Sequence, residues 1–155
     1  MTHVVLSIGA NLGDAEAMVH QTIEVLKESL KELTASPIYR TSPVGVTGQP
    51  DFYNAVVMGE WLGTARELHR KTSELEESAG RERLVRWGAR TLDIDIIAFG
   101  DLVSADPQLT LPHPRAHERL FVLLPWLEIQ PEAEIVGRGK IRTIIEDLQK
   151  AGATL

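Results

Sequence analysis

No cysteine occurs in the chain, which excludes disulfides and thiolate chemistry. Long apolar runs are missing too. The longest, Leu120 to Leu127, is broken by Pro125 and falls well short of the ~18 residues of a membrane span. The amino terminus, Met-Thr-His-Val-Val-Leu-Ser-Ile, has neither the basic stretch nor the small-residue cleavage site of a signal peptide. Together these absences favour the cytoplasm. Positive charge is in short supply, with 16 Lys and Arg against 22 Asp and Glu and a net charge of −6. That balance argues against a protein that coats nucleic acid or an anionic membrane, and no strand carries an aromatic RNP-type motif. Neither a P-loop nor a G-x-G-x-x-G fingerprint is present, because Gly139-Lys140 lacks the upstream glycine and is followed by Ile141. Any phosphate ligand must be held by other means.

What is present suits one globular domain. The 155 residues are 43% hydrophobic and 25% charged, close to average for folded domains and enough to bury a core, so residues 1–155 are expected to form a single unit. His3 to Ile8 alternate as a strand, and Gly9-Ala10-Asn11-Leu12-Gly13 supplies a turn. Val19, Ile23, Leu26, Leu30 and Leu33 then form one apolar stripe, which predicts a helix capped by Asp14. Ile38 to Thr41 reads as a short strand between prolines, Ser42 to Asp51 as a long loop, and Asn54 to Trp61 as a second β run. Thr64-Ala65-Arg66-Glu67 matches a capping box and opens a helix through about Ser78, before an arginine-rich loop. Leu92 to Phe99 is the next strand, turned by Gly100-Asp101 into Leu102-Val103, with Leu109 to Leu111 as a further short strand. Pro114 suits the start of a helix that should stop or kink near Pro125. Ile141, Ile144, Ile145 and Leu148 mark a last helix ending at Gly152. The order β-α-β-β-α-β predicts an α+β fold: a ferredoxin-like core with an antiparallel sheet, a hairpin extension and C-terminal helices. That architecture hosts RNA binders, regulatory modules and enzymes alike, so the function must be read from side chains.

Asp93 and Asp95 alternate with Leu92, Ile94 and Ile96, so both carboxylates leave one face of a strand with Cα atoms about 6.6 to 6.8 Å apart. Two acids so close favour a cation between them, and hard oxygen ligands suit Mg²⁺ with a substrate phosphate completing its shell. Just upstream, the stretch from Gly80 to Arg90 holds Arg81, Arg83, Arg86 and Arg90 against the single acid Glu82. Guanidinium forks bind phosphate bidentately, and basic groups beside a carboxylate pair are what a metal–polyphosphate site requires. Trp87 lies within this run, either as a cover for a planar ligand or as a loop anchor. His113 sits between Pro112 and Pro114 before Arg119, where it can donate to a phosphate. Phe52 and Phe121, with Asn54 near the first, read as core aromatics unless the substrate is a planar heterocycle.

Longer motifs carry a resemblance. Arg86-Trp87-Gly88-Ala89-Arg90-Thr91-Leu92-Asp93-Ile94-Asp95-Ile96-Ile97, Leu109-Thr110-Leu111-Pro112-His113-Pro114 and Arg119-Leu120-Phe121-Val122-Leu123 resemble the 6-hydroxymethyl-7,8-dihydropterin pyrophosphokinase family. Gly9 to Gly13, Tyr39 to Pro43 and Gln49 to Asn54 agree with it as well. The resemblance implies transfer of a diphosphate from ATP to the hydroxymethyl group of a reduced pterin, with release of AMP, in folate synthesis. It implies that Asp93 and Asp95 hold two Mg²⁺, and that Arg81, Arg83, Arg90, His113 and Arg119 surround the triphosphate. Among these, Asp93, Asp95, Arg81 and Arg90 are the expected catalytic groups. Glu76, Ile96 and Thr110 would lie around the nucleotide, with Trp87 on a loop closing over both substrates. The pterin would lie between Phe52 and Phe121, with Asn54 on its edge and Gly9, Thr41, Ser42 and Val44 lining the pocket.

Some positions depart from the family pattern. Ala10 stands where serine is common, Ala89 where proline is usual, and Phe52 where tyrosine is frequent. Gln108 falls where some members carry a phosphate-binding arginine, and Pro114 where some have tyrosine. The expected partners are the two small-molecule substrates, with no nucleic acid and no membrane, for a monomer or weak homodimer. Two rival readings stand beside this one: a nucleotidyl or sugar transferase using the same acid pair, and a non-catalytic module binding RNA or a small effector.

Overall fold

The computed structural model describes residues 1–42, 50–83 and 92–155, with the backbone alone for 80–83. In chain order the elements are β1 (Thr2–Ala10), α1 (Ala15–Ser29), β2 (Lys31–Ala35), β3 (Tyr39–Thr41), β4 (Phe52–Trp61), α2 (Ala65–Arg83) and β5 (Asp93–Phe99). They are followed by a hairpin of β6 (Ser104–Asp106) and β7 (Leu109–Leu111), a 3-10 turn (Ala116–Glu118) and α3 (Leu120–Ile129). A second small hairpin, β8 (Glu134–Ile135) with β9 (Gly139–Lys140), leads into α4 (Ile141–Lys150). Among the described residues no helix is long and apolar enough to cross a membrane.

β1 is the centre of an antiparallel sheet ordered β2-β4-β1-β5, with β3 also paired to β4. Against β4 it runs in unbroken register from Thr2 opposite Trp61 to Ala10 opposite Tyr53. Against β5, Ser7 lies opposite Asp95 and Gly9 opposite Asp93. Because side chains alternate along a strand, this register sorts the sheet into two faces. Val4, Leu6, Ile8, Ala55, Val57, Ile94 and Ile96 pack with Val19, Ile23 and Leu26 of α1 and Leu68 of α2. On the other face, Val5, Val56 and Ile97 pack with Val122, Leu123 and Trp126 of α3 and Ile141 and Ile145 of α4. Each helix layer thus buries one apolar stripe against one face of a shared sheet.

The structure corrects several expectations. The helix predicted to run to Leu33 ends at Ser29, with Leu30 extended at φ −107° and ψ 130°. Leu33 belongs to β2, a strand that the helical spacing of the leucines conceals. Glu32 at φ +53° marks the irregular step between Lys31 and Thr34 where β2 meets β4. The hairpin strand is Ser104–Asp106, paired with Leu109–Leu111, and not Leu102-Val103. α2 continues past Ser78, so Arg81 and Arg83 stand on its last turn and not in a loop. No helix begins at Pro114; α3 starts at Leu120 and runs through Pro125. A proline there removes one backbone bond, but Leu120, Val122, Leu123, Pro125 and Trp126 are all buried, and that packing holds the helix together.

Candidate active site

The sheet face that carries α3 and α4 is covered at one end only. At the open end the same alternation that places Val5, Val56 and Ile97 in the core places Ser7, Gly9, Asn54, Asp93 and Asp95 on the floor of a cavity of about 290 Å³. Its walls are Phe52, at the start of β4, and Phe121, in the first turn of α3, with Thr41, Ser42 and Arg119 between them. The glycine at position 9 has a steric reason. A Cβ there would stand 2.7 Å from Asn54 Oδ1, so only a residue without one lets Asn54 sit in the floor, where it is 5% exposed.

A second cavity, also of about 290 Å³, lies along the outer edge of β5. Glu76 and His69 of α2 form one side, Thr110, Gln108 and His113 the other, and Ile94 and Ile96 the floor. Glu76 is fixed there because its Oε2 accepts from the Ile94 N–H at 2.9 Å. Asp95 lines both cavities and is the residue they share. Its Oδ2 lies 3.7 Å from Arg119 Nη1 and 3.9 Å from His113 Nε2. The Arg119 guanidinium also stands 5.5 Å from the Phe121 ring centre, within cation–π range. Each cavity therefore places one nitrogen within 4 Å of the shared carboxylate.

His113 is oriented by its own neighbourhood, for its Nδ1 accepts from the Arg115 N–H at 3.1 Å and leaves Nε2 facing Asp95. Burial pushes the imidazole below its ordinary value; the Asp95 charge opposes this, and the Arg119 and Arg115 charges reinforce it. A neutral ring bonded in this way donates through Nε2. Asp93 and Asp95 offer oxygen ligands on one floor, and among the described residues no third carboxylate or histidine completes a metal cage. Such a donor set fits Mg²⁺, which keeps water or phosphate oxygens in most of its shell.

The fold brings many of the residues singled out in the sequence into these two cavities. Gly9, Thr41, Ser42, Phe52, Asn54 and Phe121 share the first cavity with both aspartates, and Glu76, Ile96, Thr110 and His113 share the second. Arg119, expected on a triphosphate, lines the first cavity and faces Asp95 at the junction. Trp87, Arg90 and Val44 lie outside the described residues, as do the side chains of Arg81 and Arg83. Ser7 and His69 also line these cavities, though no sequence motif singles them out. Ser7 is two positions before Gly9 on the same strand face, and His69 is seven before Glu76 on the same helix face, so both were within reach of simple periodicity.

Comparison with known proteins adds an independent result. Residues 5–131 match the family described as 7,8-dihydro-6-hydroxymethylpterin-pyrophosphokinase (HPPK). The 2-amino-4-hydroxy-6-hydroxymethyldihydropteridine pyrophosphokinase of Mycobacterium leprae is 41% identical over 155 residues, covering 93% of this chain and 80% of its own. The Bacillus subtilis protein of the same name is 39% identical over 131 residues, covering 83% of this chain and 78% of its own. A crystal structure of Plasmodium falciparum HPPK-DHPS, wild type with pteroate, aligns with a TM-score of 0.66 over 94% of this chain and 42% of that one. At 17% identity that likeness speaks for the fold alone, a mixed α/β fold with an antiparallel sheet. A match across most of the chain, together with relatives near 40% identity, means that the chain belongs to the HPPK family.

Proposed function

We propose that the chain transfers the diphosphate of ATP to the hydroxymethyl group of 6-hydroxymethyl-7,8-dihydropterin, giving AMP and the pterin diphosphate. The observation that carries the reading is the shared Asp95, one carboxylate facing two cavities of equal size. A reduced pterin is flat, and the cavity walled by Phe52 and Phe121 offers it two aromatic faces. Asn54 and the Thr41–Ser42 segment supply polar atoms for its edge. ATP takes the second cavity, where Ile96 and Thr110 face the base and His113 donates to a phosphate oxygen. Strand order β2-β4-β1-β5 with helices α1 and α2 on one face supports reading the core as ferredoxin-like.

Asp93 and Asp95 would hold the magnesium, two ions in this reading. Bound there, Mg²⁺ supplies charge neutralisation on the phosphates and acidifies the attacking alcohol. The residues of the chain do the positioning. Phe52 and Phe121 hold the ring so that its hydroxymethyl arm points over Asp95, while His113 and Arg119 draw phosphate oxygens towards the same point. Holding both reactants in line supplies much of the acceleration in phosphoryl transfer. Arg81, Arg83 and Arg90 would add charge from the end of α2 and beyond it, with Trp87 closing over the substrates.

The test is AMP formation from ATP with Mg²⁺, with and without the pterin, followed by mass analysis of the pterin product. Pterin-dependent AMP and a product heavier by one diphosphate are expected. Release of pyrophosphate would instead favour a nucleotidyl transferase. ATP binding with no AMP would favour a binding module.

A further inference from the structure

The aromatic walls of the first cavity belong to different layers. Phe52 starts β4 and Phe121 lies in the first turn of α3, so their separation depends on how the β3–β4 pair is held against that helix. β3 is three residues long and pairs with β4 alone, Thr41 opposite Phe52 and Tyr39 opposite Asn54. Alternation then puts Tyr39, Thr41, Phe52 and Asn54 on one side of the sheet, the side facing α3. Phe121 and Glu128 are seven residues apart on α3, two turns, which places them on the same helix face roughly 10 Å apart. The Tyr39 hydroxyl donates to Glu128 Oε1, and so joins the strand that lines the cavity to the helix that carries its other wall. By contrast, Arg40 donates to Asp51 at 2.7 Å and stands 5.8 Å from the Tyr53 ring centre. Those contacts stay within the β3–β4 segment and do not reach α3.

We propose that the Tyr39–Glu128 hydrogen bond sets the spacing between Phe52 and Phe121, which makes Tyr39 and Glu128 positioning residues for the pterin. The inference rests on the pterin occupying the cavity between those rings. Glu128 is exposed and Tyr39 half-buried, and neither belongs to a core cluster, so removing the bond should leave the core intact. Burial, then the bond to Glu128 and its charge, push the Tyr39 phenol up to about 12, and the hydroxyl stays a donor at any physiological pH.

The full chain is assayed as wild type, Tyr39→Phe, Glu128→Ala, the double variant and Glu128→Gln, the last of which keeps an oxygen acceptor. In Tyr39→Phe and Glu128→Ala the KM for the pterin is expected to rise about three- to tenfold, less than the full worth of a hydrogen bond to a charged group because the bond acts on the pterin only through the wall spacing. ATP KM, kcat and melting temperature should hold. Glu128→Gln should recover most of the loss, and the double variant should be no worse than the weaker single one, since both remove the same interaction. An unchanged pterin KM, an equal rise in both KM values, or no recovery by glutamine overturns the proposal. Failure of the functional reading would look different, as wild type would form no pterin diphosphate. In that event pterin affinity, followed by its own fluorescence, still compares the variants, and equal affinities overturn the tether.

Discussion

At the residue scale, Asp95 is the residue that lines both cavities. Asp95 is 42% exposed at its side chain and takes no part in either core cluster, so its replacement tests catalysis with little effect on folding. Asp95→Asn is expected to lower single-turnover rates by about 10²- to 10³-fold, as loss of a preorganised electrostatic group does, with an unchanged circular dichroism melt. Gly9 makes the opposite kind of prediction, since the group added does harm through space. Gly9→Ala drives a Cβ against Asn54 Oδ1, and overpacking of this sort costs about 1 to 3 kcal/mol. Because the atom displaced lines the cavity proposed for the pterin, pterin KM should rise while ATP KM holds. A pterin KM equal to wild type would place Asn54 outside the substrate contacts.

At the scale of elements, local chemistry sets the starts of helices better than their ends. The Thr64 capping box forms as its spacing predicts: Glu67 Oε1 accepts from the Thr64 N–H at 2.8 Å, and Thr64 Oγ1 accepts from the Glu67 N–H at 3.1 Å. Thr64→Ala should cost about 1 kcal/mol of stability, the typical value of an N-cap, read as a shift in the urea midpoint. Hydrogen bonding to the Glu67 carboxylate, from the Thr64 backbone N–H first and from the Thr64 side chain second, holds it below its ordinary range. A lowered folded-state value contributes stability above the ordinary carboxylate range and loses it as pH falls through the folded value. The difference in melting temperature between wild type and Glu67→Gln should therefore shrink in acid; a constant difference would mean that the cap does not depend on the charge. Helix ends follow from tertiary packing instead. Leu30 and Leu33 keep the helical spacing of α1, yet pairing of β2 with β4 takes the backbone into the sheet. Pro125 predicts a break in α3, yet burial of its neighbours overrides the lost bond.

At the scale of the whole molecule, the two helix layers divide the labour. α1 and α2 close one face of the sheet, while α3 and α4 close part of the other and leave the site at the open end. α3 also carries Phe121, with Arg119 just before it, so the seating of this helix sets one wall of the first cavity. Leu123→Ala and Leu26→Ala each empty a fully buried position and should each cost about 2 to 5 kcal/mol. Only the first, beneath α3, should also raise pterin KM. If both variants change that KM alike, the layers are not independent.

The chain by itself determined the alternating strands, the capping box, the acid pair on β5 and the turn-rich segments around the site, because each rests on residues within a few positions of one another. The long motif from Arg86 to Ile97 further pointed to the chemistry of those acids. Tertiary structure alone decided which sheet face stays open, that Leu33 lies in a strand, that α3 passes through Pro125, and that Tyr39 meets Glu128. Those outcomes depend on register and on packing between residues far apart in the chain. Local pattern cannot report them, since it records which face a side chain takes and not what the fold brings to meet it.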